Sequence, residues 1–202
     1  MKQLELDYDK KLKIRSIGIR EWKDELHYNR CEPTPYIALD TLFKHYTPLK
    51  DAQLVDFGCG RGRVAFYIHE RFDIDTTGVE AGDDTFDELL INHHAYQAHF
   101  KDKQEVIRFE YGLAENYDVL KEDNLFYFFN PFSIKIFKEV MENIQASYKK
   151  HPRIMDVIVY YPMPAYEHYM RTTDFEIINR IVVPNQSDNL RRFTIYRLKP
   201  ND

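Results

Sequence analysis

Leu54-Val55-Asp56-Phe57-Gly58-Cys59-Gly60-Arg61-Gly62-Arg63 is the stretch from which the rest of the chain is read. Gln53 to Phe57 reads as a strand, the glycines as a turn, and Gly62 to about Phe72 as a helix. That order is the setting of a ligand-binding bend in an open α/β sheet, where ligands lie beyond the carboxyl ends of the strands. Gly58 allows a sharp turn without a Cβ penalty, and Gly60 lets the backbone approach a ligand. Gly62 permits close contact between helix and strand. Cys59 is a small residue of the same turn and lacks the paired base that a nucleophile needs.

Working outward, Thr34-Pro35 reads as an N-cap and first helical residue, with Tyr36, Ile37, Ala38, Leu39, Leu42 and Phe43 as an apolar stripe running to about Tyr46. Residues 1–32 show no clean period and read as an N-terminal extension before a domain over 33–202. Downstream, Thr76 to Val79 is a strand, and Asp83-Asp84 open a helix to about Phe100, two acids suiting its positive end. Val106 to Tyr111 is a third strand. Leu125 to Phe129 is a continuous apolar run, as in a strand buried on both faces. Ser133 is placed to cap a helix over Ile134 to Lys150. Ile154 to Tyr161 is a fifth strand, Ala165 to Thr172 a short helix, and Phe175 to Val183 with Arg192 to Leu198 a closing strand pair. The order βαβαβαβαβαββ predicts an α/β protein. Its sheet would be doubly wound, mostly parallel and seven-stranded, with an antiparallel C-terminal hairpin.

Composition narrows the class. In 202 residues, 44% hydrophobic and 30% charged content is that of a globular domain with a sizeable core. No apolar run approaches the length of a membrane span, and the N-terminus lacks the apolar stretch of a secretory signal. Two cysteines are too few for a disulfide framework and suit a reduced, cytoplasmic setting. A net charge of −5 speaks against sequence-independent nucleic-acid binding, so a nucleic-acid partner stays open but is not indicated by charge. Arg171, Arg180, Arg191, Arg192 and Arg197 read as solvated surface. His93-His94 are adjacent in a helix and point apart, so no metal site is expected.

Two cofactor classes compete for the glycine turn. Dinucleotide binders use G-x-G-x-x-G, with a pyrophosphate on the helix N-terminus. Here the third glycine comes one residue early, and Arg63 stands where that pattern needs glycine. The spacing G-x-G-x-G behind Asp56 resembles motif I of class I S-adenosylmethionine-dependent methyltransferases, and the resemblance extends over about residues 30 to 200. It implies a Rossmann-like methyltransferase whose S-adenosyl-L-methionine lies against Asp56, Gly58, Cys59, Gly60 and Gly62. Glu80, ending the next strand, is placed to accept hydrogen bonds from both ribose hydroxyls, which NAD also carries. After the third strand, Tyr111-Gly112-Leu113-Ala114-Glu115 has Leu113 where the family commonly has an acid against adenine. Backbone groups of Leu113 and Ala114, or the Glu115 side chain, are the substitutes. Tyr28, Arg30, Glu32, Thr34 and Tyr36 stand where the family folds a lid, with Thr34 reaching the cofactor.

The fourth strand leads into Asn130-Pro131-Phe132-Ser133, which resembles the [DN]-P-P-[FYW] loop of amino-group methyltransferases. The resemblance implies that Asn130 and the Pro131 carbonyl accept the amine hydrogens and that Phe132 stacks on the acceptor. The second proline is missing and Phe132 comes one place early. Methyl transfer from a sulfonium depends mainly on such positioning. Tyr160-Tyr161-Pro162-Met163-Pro164 either lines the acceptor pocket or packs the strand end. The resulting expectation is a methyltransferase with an unidentified acceptor, such as an amine of a nucleic acid, a protein or a small molecule. Its rivals are an NAD-linked oxidoreductase and a non-catalytic cofactor-binding scaffold.

Overall fold

Each apolar run pairs with its neighbours to form one sheet of seven strands. The computed structural model describes residues 2–20, 27–184 and 188–200. The strands are β1 (Leu54–Phe57), β2 (Thr76–Glu80), β3 (Ile107–Tyr111), β4 (Leu125–Phe129), β5 (Met155–Tyr160), β6 (Glu176–Val182) and β7 (Arg192–Leu198), in the spatial order β3-β2-β1-β4-β5-β7-β6. β1 to β5 run parallel, while β7 is antiparallel to both β5 and β6. The order reverses between β1 and β4, which places a ligand crevice beyond their carboxyl ends. Among the described residues the helices are α1 (Lys2–Leu12), α2 (Tyr36–His45), α3 (Arg63–Phe72), α4 (Asp83–His99), α5 (Ile134–Lys150) and α6 (Pro164–Met170).

The central strands are buried on both faces, and their alternation divides the core in two. Leu54, Leu125, Tyr127, Ile158, Tyr160 and Ile195 point to the layer of α1 to α4. Val55, Phe57, Phe126, Phe128, Val157 and Val159 point to the layer of α5 and α6. One expected element is absent. Between β3 and β4 the alternation supposes a helix, but the chain makes only a 3-10 turn, Ala114–Asn116, before crossing to β4. The segment carries too few apolar residues in helical phase to cover that side, and β3 is correspondingly half exposed.

The N-terminal stretch holds a regular helix that hydrophobic periodicity does not announce. α1 packs on α2 and α3 through Leu12 and Tyr8, whose ring stacks on Tyr36 at 4.4 Å, and through a set of polar contacts. Its buried residues are Asp9 and Leu12. Asp9 accepts from the Ser16 hydroxyl at 2.7 Å and from the Tyr36 hydroxyl at 2.8 Å. Glu5 accepts from the Tyr36 backbone N–H at 3.0 Å and is paired with Arg63, the first residue of α3. The cap of α2 therefore comes from α1. The Thr34 hydroxyl, expected to do that work, bonds the Tyr127 hydroxyl at 2.8 Å instead. Ser133 does stand at the N-cap of α5, but its hydroxyl makes no capping bond and lies 3.2 Å from His27.

Candidate active site

The glycine turn is the floor of a cleft with an empty volume of about 740 Å³, its open mouth included. Gly58, Gly60 and Gly62 all have positive φ, at 69°, 56° and 84°. A Cβ on Gly58 would lie 2.5 Å from the Pro131 side chain, so this glycine admits the loop after β4. A Cβ on Gly60 would lie 2.7 Å from the Cys31 sulfur. Gly62 does not line the cleft. It lets α3 begin against Leu89 of α4 and its own Phe66, a helix-to-helix approach rather than the helix-to-strand one expected.

Two carboxylates stand at this floor. Glu80, 5% exposed, accepts from the Gly60 N–H and the Gly82 N–H, both at 2.8 Å. Burial pushes its pKa up, while those backbone N–H groups pull it back. Asp56 is buried beside it, and one of its oxygens has no hydrogen-bond partner among the described residues. Burial, reinforced by the Glu80 charge, pushes Asp56 up to about 8. Arg63 also lines the cleft and is 3% exposed; one of its terminal nitrogens faces the Asp9 carboxylate at 3.8 Å and has no hydrogen-bond partner among the described residues. An unfilled acceptor and an unfilled donor at one floor suit a ligand that carries both charges.

The mouth is crossed by residues 27–34. This strap is tied to the loop after β4, a contact that spacing along the chain does not reveal. The Asn29 N–H donates to the Pro131 carbonyl at 2.9 Å, its side-chain amide donates to the Asn130 carbonyl at 2.8 Å, and Tyr28 forms a bridge with Phe132. The Tyr28 hydroxyl donates to Glu115 at 2.8 Å. At the other end Arg20 and Cys31 exchange backbone bonds, and Arg20 and Arg61 share Glu88. Cys31 is pushed up to about 11 by burial and then by Glu80, and Cys59 moves up by burial and then by Asp56 and Glu80, so neither thiol is an activated nucleophile.

The structure brings Asp56, Gly58, Cys59, Gly60, Glu80, Ala114, Thr34 and Pro131 around the cleft. It does not bring Leu113, which is 39% exposed and outside it. Glu115 is engaged with Tyr28 rather than directed at the cleft. Phe132 is 1% exposed, lies against Phe128 and Tyr28, and so is core rather than a stacking surface. Asn130 lines a second hollow of about 520 Å³, with Asn29, Arg30, Glu32, Phe129, Tyr161 and Arg191. Arg191, like Arg192 and Arg197, is expected at the solvated surface. In the folded chain Arg191 faces Glu32, Arg192 pairs with Glu167, and Arg197 grips the buried Asp156. Among the described residues no group of histidines, cysteines and acids could hold a metal ion. No described helix is long and apolar enough to cross a membrane.

No protein-family model matches the sequence, and no curated protein matches it. Solved structures do match it in fold. A candidate RNA methyltransferase from Pyrococcus horikoshii aligns over 97% of this chain and 96% of its own, with a TM-score of 0.54 and 16% identity. An RNA methyltransferase from Salinibacter ruber in complex with S-adenosyl-L-homocysteine aligns over 85% of this chain and 98% of its own, at 0.50 and 15%. A TehB-like S-adenosylmethionine-dependent methyltransferase from Corynebacterium glutamicum aligns over 81% and 88%, at 0.53 and 10%. The fold is the seven-stranded, Rossmann-like fold of class I methyltransferases.

Proposed function

We propose that this protein is an S-adenosylmethionine-dependent methyltransferase with its cofactor in the cleft over Gly58 and Gly60. The observation that carries the reading is the pairing of a Cβ-free floor with the buried Glu80 carboxylate, whose remaining lone pairs are free for a ribose diol. The unfilled Asp56 oxygen and the unfilled Arg63 nitrogen would take the ammonium and carboxylate of the amino-acid end. Bound there, the cofactor would supply an electrophilic sulfonium methyl for an acceptor lone pair, with the sulfur keeping the bond's electron pair and any acceptor proton passing to water. The protein's own residues then position and enclose. Residues 27–34 exclude water, and Asn130 stands at the junction with the second hollow.

An NAD-linked reaction is disfavoured by α3. A pyrophosphate would need that helix N-terminus, where Arg63 already holds the Glu5 carboxylate of α1. The Pro131 carbonyl, proposed from the sequence as an amine acceptor, is engaged by Asn29, so an amine would reach Asn130 by its side chain alone while the strap is in place.

Calorimetry tests the reading. S-adenosylhomocysteine should bind and NADH should not. Glu80→Ala, which loses charge-assisted bonds worth about 1.5–3 kcal/mol each, should weaken binding at least tenfold. Asn130→Ala should keep cofactor affinity and lose transfer of labelled methyl to pooled metabolites, peptides or RNA, which would separate an enzyme from a scaffold. No binding at millimolar S-adenosylhomocysteine, or tighter binding of NADH, would sink the proposal.

A further inference from the structure

Asp56 and Glu80 are buried carboxylates that line the cleft, and among the described residues neither has an ion-pair partner. Glu80 is held by the backbone N–H groups of Gly60 and Gly82. Asp56, 3% exposed, keeps one oxygen without a hydrogen-bond partner among the described residues. The guanidiniums of the cleft wall have carboxylates of their own. Arg61 faces Glu88, Arg30 faces Glu32 at 3.1 Å, and Arg63 faces Glu5 and, at 3.8 Å, Asp9. Among the described residues the floor therefore carries more negative than positive charge, where burial makes an unpaired charge costly. The Glu80 charge presses on Asp56, and both press on the Cys59 thiol, so one field covers the glycine turn. Two buried acids that face a cavity without a protein cation suit a cation brought by the ligand.

Resting on the S-adenosylmethionine reading, we propose that Asp56 and Glu80 make the cleft selective for the charge on the cofactor's sulfur, so that the sulfonium form binds more tightly than its neutral thioether product. The two forms share their adenosine and their amino-acid end, whose ammonium and carboxylate cancel. The sulfonium is the one net charge that differs, and it falls in the low-dielectric field of the two carboxylates. When the methyl carbon passes to an acceptor lone pair and the bond's electron pair stays on sulfur, Asp56 and Glu80 lose that cation. The floor then favours exchange of product for fresh cofactor, without a moving part.

The test is calorimetric titration of the whole protein with S-adenosylmethionine and with S-adenosylhomocysteine, no acceptor being present. The first should bind roughly tenfold or more tightly, the scale of a unit charge beside a buried carboxylate. Sinefungin, which carries an ammonium in place of the methylated sulfur, should side with S-adenosylmethionine. Asp56→Asn and Glu80→Gln keep the shape of each side chain and remove its charge. Each should weaken both ligands and narrow the ratio between them by about threefold or more. The ratio in the parent protein is a test by itself, whatever the variants' stability. Equal affinities in the parent, tighter binding of S-adenosylhomocysteine, or a ratio that survives both substitutions would overturn the inference and leave the methyltransferase reading intact. Binding of neither ligand would remove that reading and this inference together.

Discussion

The backbone N–H of Asn29 meets the Pro131 carbonyl at 2.9 Å, so the segment over the cleft and the loop beneath it are one hydrogen-bonded unit. Asn29→Pro removes that donor and the side-chain bond to Asn130 together. Hydrogen exchange across residues 27–33 and 130–133 should accelerate markedly. Asn29→Ala, which keeps the backbone donor, should accelerate it less. Unchanged exchange in Asn29→Pro would show that the strap is held elsewhere.

Gly60 and Cys31 should behave as a coupled pair. Gly60→Ala forces a side chain into a left-handed conformation, at about 1–2 kcal/mol, and pushes its Cβ against the Cys31 sulfur. Cys31→Ala removes that sulfur. In a double-mutant cycle by chemical denaturation the combined variant should be more stable than the sum of the single losses allows, by about 0.5 kcal/mol or more. Strict additivity would refute the contact.

Asp56 should make stability fall as pH rises. Its folded pKa, about 8, lies above the ordinary carboxyl value, so the folded state holds the proton more tightly than the unfolded chain. The resulting stabilisation is complete below the unfolded value near 4 and is lost progressively as pH climbs to about 8. Asp56→Asn should flatten this slope and melt higher than the parent at pH 8, yet bind S-adenosylhomocysteine more weakly. Proton release on cofactor binding near pH 7, read by calorimetry in buffers of different ionisation enthalpy, should disappear in the same variant.

Phe132 should report packing rather than catalysis. Truncation of a ring that is 1% exposed costs about 3–5 kcal/mol. Phe132→Ala should therefore melt lower by roughly 6–20 °C for a chain of this size. Phe132→Leu should recover much of that and retain cofactor affinity. A variant with unchanged melting but no transfer would place the ring at the reacting groups after all.

What the sequence disclosed, and what it hid, follows from the range of each interaction. The strand, glycine turn and helix around Gly58 to Gly62, the acid at Glu80 and the β4 run Leu125–Phe129 are local patterns, and they were readable as such. α1 is hard to read because its inner face mixes the acids Glu5 and Asp9 with only a short apolar stripe, Tyr8 and Leu12. Thr34 looked like a cap because its true partner, Tyr127, is distant along the chain. Phe132 and the carbonyl of Pro131 were assigned to the acceptor because nothing near them in sequence shows that Tyr28 and Asn29 cover them. The missing β3–β4 helix was supposed by alternation alone.

Asn130 at φ 42° and Tyr161 at φ 56° end two adjacent strands in a conformation that glycine would adopt at no cost. Each side chain holds its backbone at a loss of about 1–3 kcal/mol. The protein is thus less durable at β4 and β5 than its fold permits, and the deficit sits where an amide and a phenol border the second hollow. Asn130→Gly should raise the melting temperature of the folded chain by a few degrees while emptying that border of its amide, making thermal gain and chemical loss two faces of a single substitution.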